Sequence, residues 1–121
     1  METSAERDPK TYHLTFAAAN RDIFEMIVRG EKIVETRAAT IKYRNIQAGD
    51  MLVLSCGKDR LSKRVSRATH FKTVSAMLKS YQVEHIHPKI HTQHELEETY
   101  RSFPGYEAKI KEHGIIAFEI E

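Results

Sequence analysis

Ile23-Phe24-Glu25-Met26-Ile27-Val28-Arg29-Gly30, followed by Glu31-Lys32-Ile33-Val34-Glu35-Thr36-Arg37, changes its hydrophobic period once, and that change decides the fold. Ile23, Phe24, Ile27 and Val28 recur at helical spacing and share one face. Asn20 offers a helix start and Gly30 a stop. From Ile33 to Ile41 the chain is rich in β-branched residues, which predicts a strand. A helix therefore hands the chain through a turn to a strand. Residues two apart on a strand point the same way, so Glu35 and Arg37 share a surface with Lys32 at its start.

Working outward, Tyr12-His13-Leu14-Thr15-Phe16 alternates apolar with polar and predicts a strand. Residues 1–10 are polar, contain Pro9 and lack a period, so they read as a flexible tail ahead of one domain over 11–121. Gly49-Asp50 is a turn. Met51 to Cys56 is an apolar run ending at Gly57, short enough for a strand buried on both faces. Residues 61–72 alternate again and form a basic strand. Thr73 can cap a short helix with Val74, Leu78 and Tyr81 on one side. Thr92-Gln93-His94-Glu95 is a capping box for a helix to about Ser102, and a further helical segment from Tyr106 to Glu112 stops at Gly114. The last strand, Ile115 to Ile120, places Ile116, Phe118 and Ile120 on one face. Strands grouped ahead of a helical segment imply α+β, and a small barrel would close the sheet edges, with the last strand completing it.

The 121 residues fit one domain, and 40% hydrophobic with 30% charged residues is globular composition. No apolar run approaches the ~20 residues a membrane helix needs. The first ten residues hold no hydrophobic leader, and the single cysteine, Cys56, has no partner for an internal disulfide. An intracellular setting, cytoplasmic or nuclear, is expected. Charge is uneven: residues 29–72 hold eleven Lys and Arg against four Asp and Glu, whereas residues 95–121 hold three against seven. The basic part suits a polyanion, with Lys63, Arg64 and Arg67 contacting phosphates and Tyr43, beside Lys42 and Arg44, stacking on a base. The acidic part offers a face for a protein partner. Basic residues on solvated strand edges also discourage edge pairing, so the charge has an ordinary reading too.

Gly30-x-Lys32-x-x-Glu35-x-Arg37, followed by Ile46-x-x-Gly49-Asp50 and an apolar strand, resembles the signature of the ASCH domain family. The resemblance is strongest from Ile23 to Cys56. It extends through Phe71 to Leu78, Tyr100-Arg101-x-Phe103-Pro104-Gly105-Tyr106 and Gly114 to Ile120. It implies a PUA-like mixed β-barrel flanked by short helices, with RNA binding as the function. It also implies a cleft between barrel and first helix, formed at the Gly30 turn and lined by Lys32, Glu35 and Arg37. Ser55, Cys56 and Gly57 are expected as its neighbours.

An RNA-binding module for RNA or a nucleotide-like ligand is therefore the leading expectation, with no cofactor. A metal-independent hydrolase in the same cleft is the second, with Lys32 stabilising developing charge and Glu35 acting as a base on RNA. Some proteins of the family hydrolyse acetylated cytidine with a Lys, a Thr and a Glu. The Thr position is Glu35 here, and Thr36, one residue on, should face the other side of the strand. A docking module of a larger transcription or translation assembly is the third. His85, His87, His91 and His94 are dense enough to suggest zinc or nickel. They lack a companion Cys or Asp, are interrupted by Pro88 and flank a helix cap, so no metal is expected. Tyr81, Tyr100, Phe103 and Tyr106 read as core or groove-wall residues.

Overall fold

A computed structural model describes residues 7–121. Its strands are β1 (Thr11–Phe16), β2 (Val34–Ala38), β3 (Met51–Cys56), β4 (Asp59–Phe71) and β5 (Ile115–Ile120). Its helices are α1 (Arg21–Val28), α2 (Val74–Met77), α3 (Val83–Ile86), α4 (Gln93–Ser102) and α5 (Tyr106–His113). The strands form one sheet in the order β1-β3-β4-β5-β2. β1 and β3 run parallel, and every other neighbouring pair is antiparallel.

The alternation along β5 explains how the sheet is covered. Ile116, Phe118 and Ile120 turn to an inner core with Leu14, Phe16, Leu52, Leu54, Val65 and the α1 residues Phe24 and Ile27. Ile115 and Ala117 turn to a second core with Val74, Met77, Ile86, Leu96 and Tyr100 from the short helices. The sheet curls so far that Arg37 on β2 lies over the Phe16 ring on β1, 5.2 Å from its centroid. These two strands are the sheet's edges, so the seam of the half-barrel lies between them. The expected α+β architecture, a small mixed barrel flanked by short helices, is present. The last strand lies between β4 and β2 rather than at the seam.

Several local expectations change. On α1, Met26 is fully buried while Val28 is 48% exposed. The chain folds back past Gly30, the Met26 carbonyl accepts from the N–H groups of Glu31 and Lys32, and the returning segment covers that side. β3 is buried on one face only, because Met51, Val53 and Ser55 stay partly exposed. β2 ends at Ala38, where turns centred on Thr40 begin. Residues 7–10 are docked: Arg7 grips Asp50 through two hydrogen bonds of 2.8 and 2.9 Å, and the Lys10 N–H donates to the same carboxylate. The rest of the expected flexible tail, residues 1–6, lies outside the described residues. Thr73 and Thr92 cap their helices as expected, the latter in a complete capping box. Among the described residues no helix is long and apolar enough to cross a membrane.

Candidate functional site

The Gly30 turn, with φ at +76°, reverses the chain so that Lys32 enters the interior instead of solvent. Lys32 is 5% exposed. Its Nζ donates to the carbonyls of Val34 and Ile86 at 2.7 and 2.5 Å, and lies 3.1 Å from Glu35 Oε1. An ammonium has three N–H donors, and these partners use all three. Glu35, 4% exposed, accepts on Oε2 from Arg37 Nε and Nη2 at 3.1 and 2.9 Å. The Arg37 guanidinium is sandwiched near Phe16 and Tyr43, at 5.2 and 5.6 Å from their centroids. Sequence spacing brought these three residues together correctly. A shared surface would leave Lys32 and Arg37 open to solvent, but α3 covers Lys32 and two aromatic rings flank Arg37.

Burial alone would raise the Glu35 carboxyl, but Lys32 and Arg37 outweigh it and hold it below its ordinary value. Burial pulls the Lys32 ammonium down, with Glu35 opposing. Asp50 behaves like Glu35. Burial would raise it, and Arg7 with the N–H groups of Lys10 and Gln47 brings it below its usual range. A carboxyl lowered by folding stabilises the protein above its unfolded pKa, and that stability is lost as pH falls through the folded value. Urea unfolding should therefore give a free energy that falls gently from about pH 7 to 5, where the lowered His87 ring stays neutral in the fold but charges in the unfolded chain, and declines steeply below about pH 4. A free energy unchanged at about pH 3 would contradict the assignment of both carboxylates.

A cavity of about 170 Å³ opens beside this trio at the seam. One wall is Thr15, Phe16 and Ala17 of the β1 end with Asn20 and Ile23. The opposite wall is aromatic and comes from α4 and the segment beyond it, with Tyr100, Phe103 and Tyr106. Ile86 and His87 close one end. The His87 Nδ1 accepts from the Lys89 N–H, and burial, with Lys32 adding to it, lowers the ring's pKa. Its Nε2 therefore carries the proton at neutral pH. Thr36 faces the helix side of β2, opposite Glu35, as the one-residue step requires. Glu35 stands across from Phe118 of the inner core, and the Thr36 hydroxyl meets that of Tyr100 at 2.5 Å.

The other candidate residues lie elsewhere. Gly30 forms the turn, but Tyr43 is spent on Arg37 and Lys42 instead of presenting a free ring. Ser55 faces outward on β3 and does not line the cavity, and Cys56 is buried in the inner core. Gly57 abuts Arg21, which donates to the Cys56 carbonyl at 2.9 Å. Lys63, Arg64 and Arg67 lie on β4, the middle strand, with β3 and β5 between it and the two seam strands. Arg64 is paired with Glu121. On the acidic side, Glu98 and Glu107 both pair with Arg101. The histidines do not converge: among the described residues no group of three or more His, Cys, Asp or Glu could hold a metal, and His91 pairs with Glu84. Tyr100 and Tyr106 are the wall residues that spacing hinted at without placing. Phe16 was read only as part of the first strand and His87 only as one of four clustered histidines, and neither signal pointed to this cavity.

No protein-family model and no curated protein matches this sequence. Two solved structures share the fold across nearly the whole chain. Hypothetical protein PH0355 is 27% identical, with a TM-score of 0.79 over 92% of this chain and 97% of its own. Protein PF0455 from Pyrococcus furiosus, solved in solution by NMR, is 28% identical, with a TM-score of 0.71 over 92% of this chain and 96% of its own.

Proposed function

We propose that this protein is an RNA-binding module that takes one base into the seam cavity while the sugar and phosphate stay outside. The observation that carries the reading is an ionised carboxylate, Glu35, buried at an aromatic-walled cavity of about 170 Å³. Pockets that enclose a whole small molecule run to ~300–1,000 Å³, so this one suits a single flat base without its sugar. Aromatic walls favour unstacked bases, and the lone pair that Lys32 and Arg37 leave on Glu35 can accept from an amino or imino group. The resemblance of Gly30-x-Lys32-x-x-Glu35-x-Arg37 to the ASCH signature points the same way. Binding is favoured over hydrolysis because Glu35 is held below its usual pKa, making it a weak base, and Lys32 has no donor left for a developing oxyanion.

The exposed part of β4, including Arg60, Arg64 and Arg67, offers phosphate-binding groups around the outside of the barrel. Binding to a short single-stranded RNA should weaken with salt at a log–log slope of about −2 to −5, at ~0.7–0.9 per neutralised phosphate. Combining Lys63→Ala, Arg64→Ala and Arg67→Ala should flatten that slope by about one for each phosphate that is no longer neutralised. An affinity that ignores salt, or a slope untouched by the triple substitution, would refute the role of β4.

A further inference from the structure

We infer that the base read by the cavity is guanine, recognised by the backbone N–H and C=O of Thr36 together with Glu35. This rests on the proposal that the cavity takes a base. It begins with the register of β2 on β5. The Ala39 N–H donates to Gly114, and the Ile120 N–H donates to Ile33. In an antiparallel ladder alternate residues turn their N–H and C=O to the same neighbour, so residues 33, 35, 37 and 39 bond toward β5. Val34, Thr36 and Ala38 turn theirs to the open side, where β2 has no neighbouring strand. That edge is partly closed by side chains and by the turn that follows β2. Lys32 Nζ takes the Val34 carbonyl, the Tyr106 hydroxyl accepts from the Ala38 N–H, and the Thr40 N–H takes the Ala38 carbonyl. Thr36, midway, is the residue of this edge that lines the cavity. Its backbone N–H and C=O turn to this open edge and have no partner among the described residues, which puts one donor and one acceptor at the cavity side of β2.

Glu35 adds an acceptor. Lys32 takes one lone pair of Oε1, and both Arg37 bonds converge on Oε2, which leaves a lone pair on Oε1 free. The cavity thus offers one donor and two acceptors, all in a low-dielectric setting where an unmet group costs more than a met one returns. The complementary edge has one acceptor and two donors. Guanine has this edge, with O6, N1–H and the N2 amino group. Adenine presents one donor and one acceptor on its pairing edge, and cytosine and uracil each present one donor and two acceptors.

The test is a titration of the full chain with GMP, AMP, CMP and UMP, then with IMP, N1-methyl-GMP and 7-deaza-GMP. GMP should bind at least tenfold more tightly than the other three. IMP, which lacks the N2 amino donor to a charged acceptor, should lose roughly 10–100-fold. N1-methyl-GMP should not bind, and 7-deaza-GMP should match GMP. Thr36→Pro removes the N–H that would meet O6 at a position on the open edge of the sheet, where proline is tolerated, and should abolish the preference for GMP. Equal binding of all four nucleotides, or tighter binding of another, would overturn guanine and leave a base-binding cleft standing. A folded Thr36→Pro protein that still prefers GMP would overturn the backbone reading. Absence of binding by every nucleotide and by single-stranded RNA would overturn both proposals.

Discussion

Lys32→Ala should destabilise the protein by about 3–5 kcal/mol, the cost typical of removing one partner from a buried ion pair. The substitution strands the Glu35 carboxylate beside Arg37 alone and leaves the carbonyls of Val34 and Ile86 without their donor. In a chain of this length the melting temperature should drop by about 10–25 °C. The companion experiment replaces the whole trio, with Lys32→Met, Glu35→Leu and Arg37→Met. Apolar replacement of a buried charge cluster is often neutral or stabilising by about 1–4 kcal/mol, so this variant should recover most of the lost stability. It should nevertheless lose RNA and nucleotide binding. A stable Lys32→Ala protein would mean that the ammonium is not buried as described. A triple variant that still binds would remove Glu35 from the site.

Gly114→Ala should be comparably severe through a different mechanism. Gly114 sits at φ +82°, and a Cβ there would lie 2.4 Å from the Phe71 carbonyl oxygen and 2.7 Å from His70 Nε2. Left-handed strain costs about 1–3 kcal/mol for a non-glycine residue. The clash adds to it because the nearest atom is backbone at the end of β4, with no flexible tip to yield. A loss of about 3 kcal/mol or more in urea unfolding is expected. Gly30→Ala makes a useful contrast, since it carries the φ strain at +76° with nothing within 4 Å of the added carbon. Equal losses at the two positions would show that the close approach of β4 is not the cause.

These two positions also show what was legible in the sequence. Gly114 as a stop, the caps at Thr73 and Thr92, the β5 alternation and the helix–turn–strand around Gly30 are local signals, and each has its counterpart in the fold. The grouping of Lys32, Glu35 and Arg37 was equally local. The burial of Lys32 was not, because it depends on a carbonyl delivered by Ile86, 54 residues away, from a short helix that no periodicity announced. The aromatic wall was legible only as residue type: Tyr100, Phe103 and Tyr106 read as core or groove-wall residues, but the groove they line depends on α4 and α5 folding over the β2 edge. The place of the basic run in the sheet was not legible. Charge density along the sequence says nothing of sheet order, and β4 turned out to be the middle strand.

Sheet order carries a consequence for synthesis. β2 has one neighbour in the sheet, β5, so the strand bearing Glu35 has nothing to pair with until Ile115–Ile120 has emerged from the ribosome. Residues 39–114 come between them, a delay of about 4–15 s at ordinary elongation rates. During that interval β1, β3 and β4 can already zip together, since each finds its partner among the first 71 residues. A nascent chain can therefore hold a paired β1-β3-β4 half-sheet while the cavity beside Glu35 is still unformed.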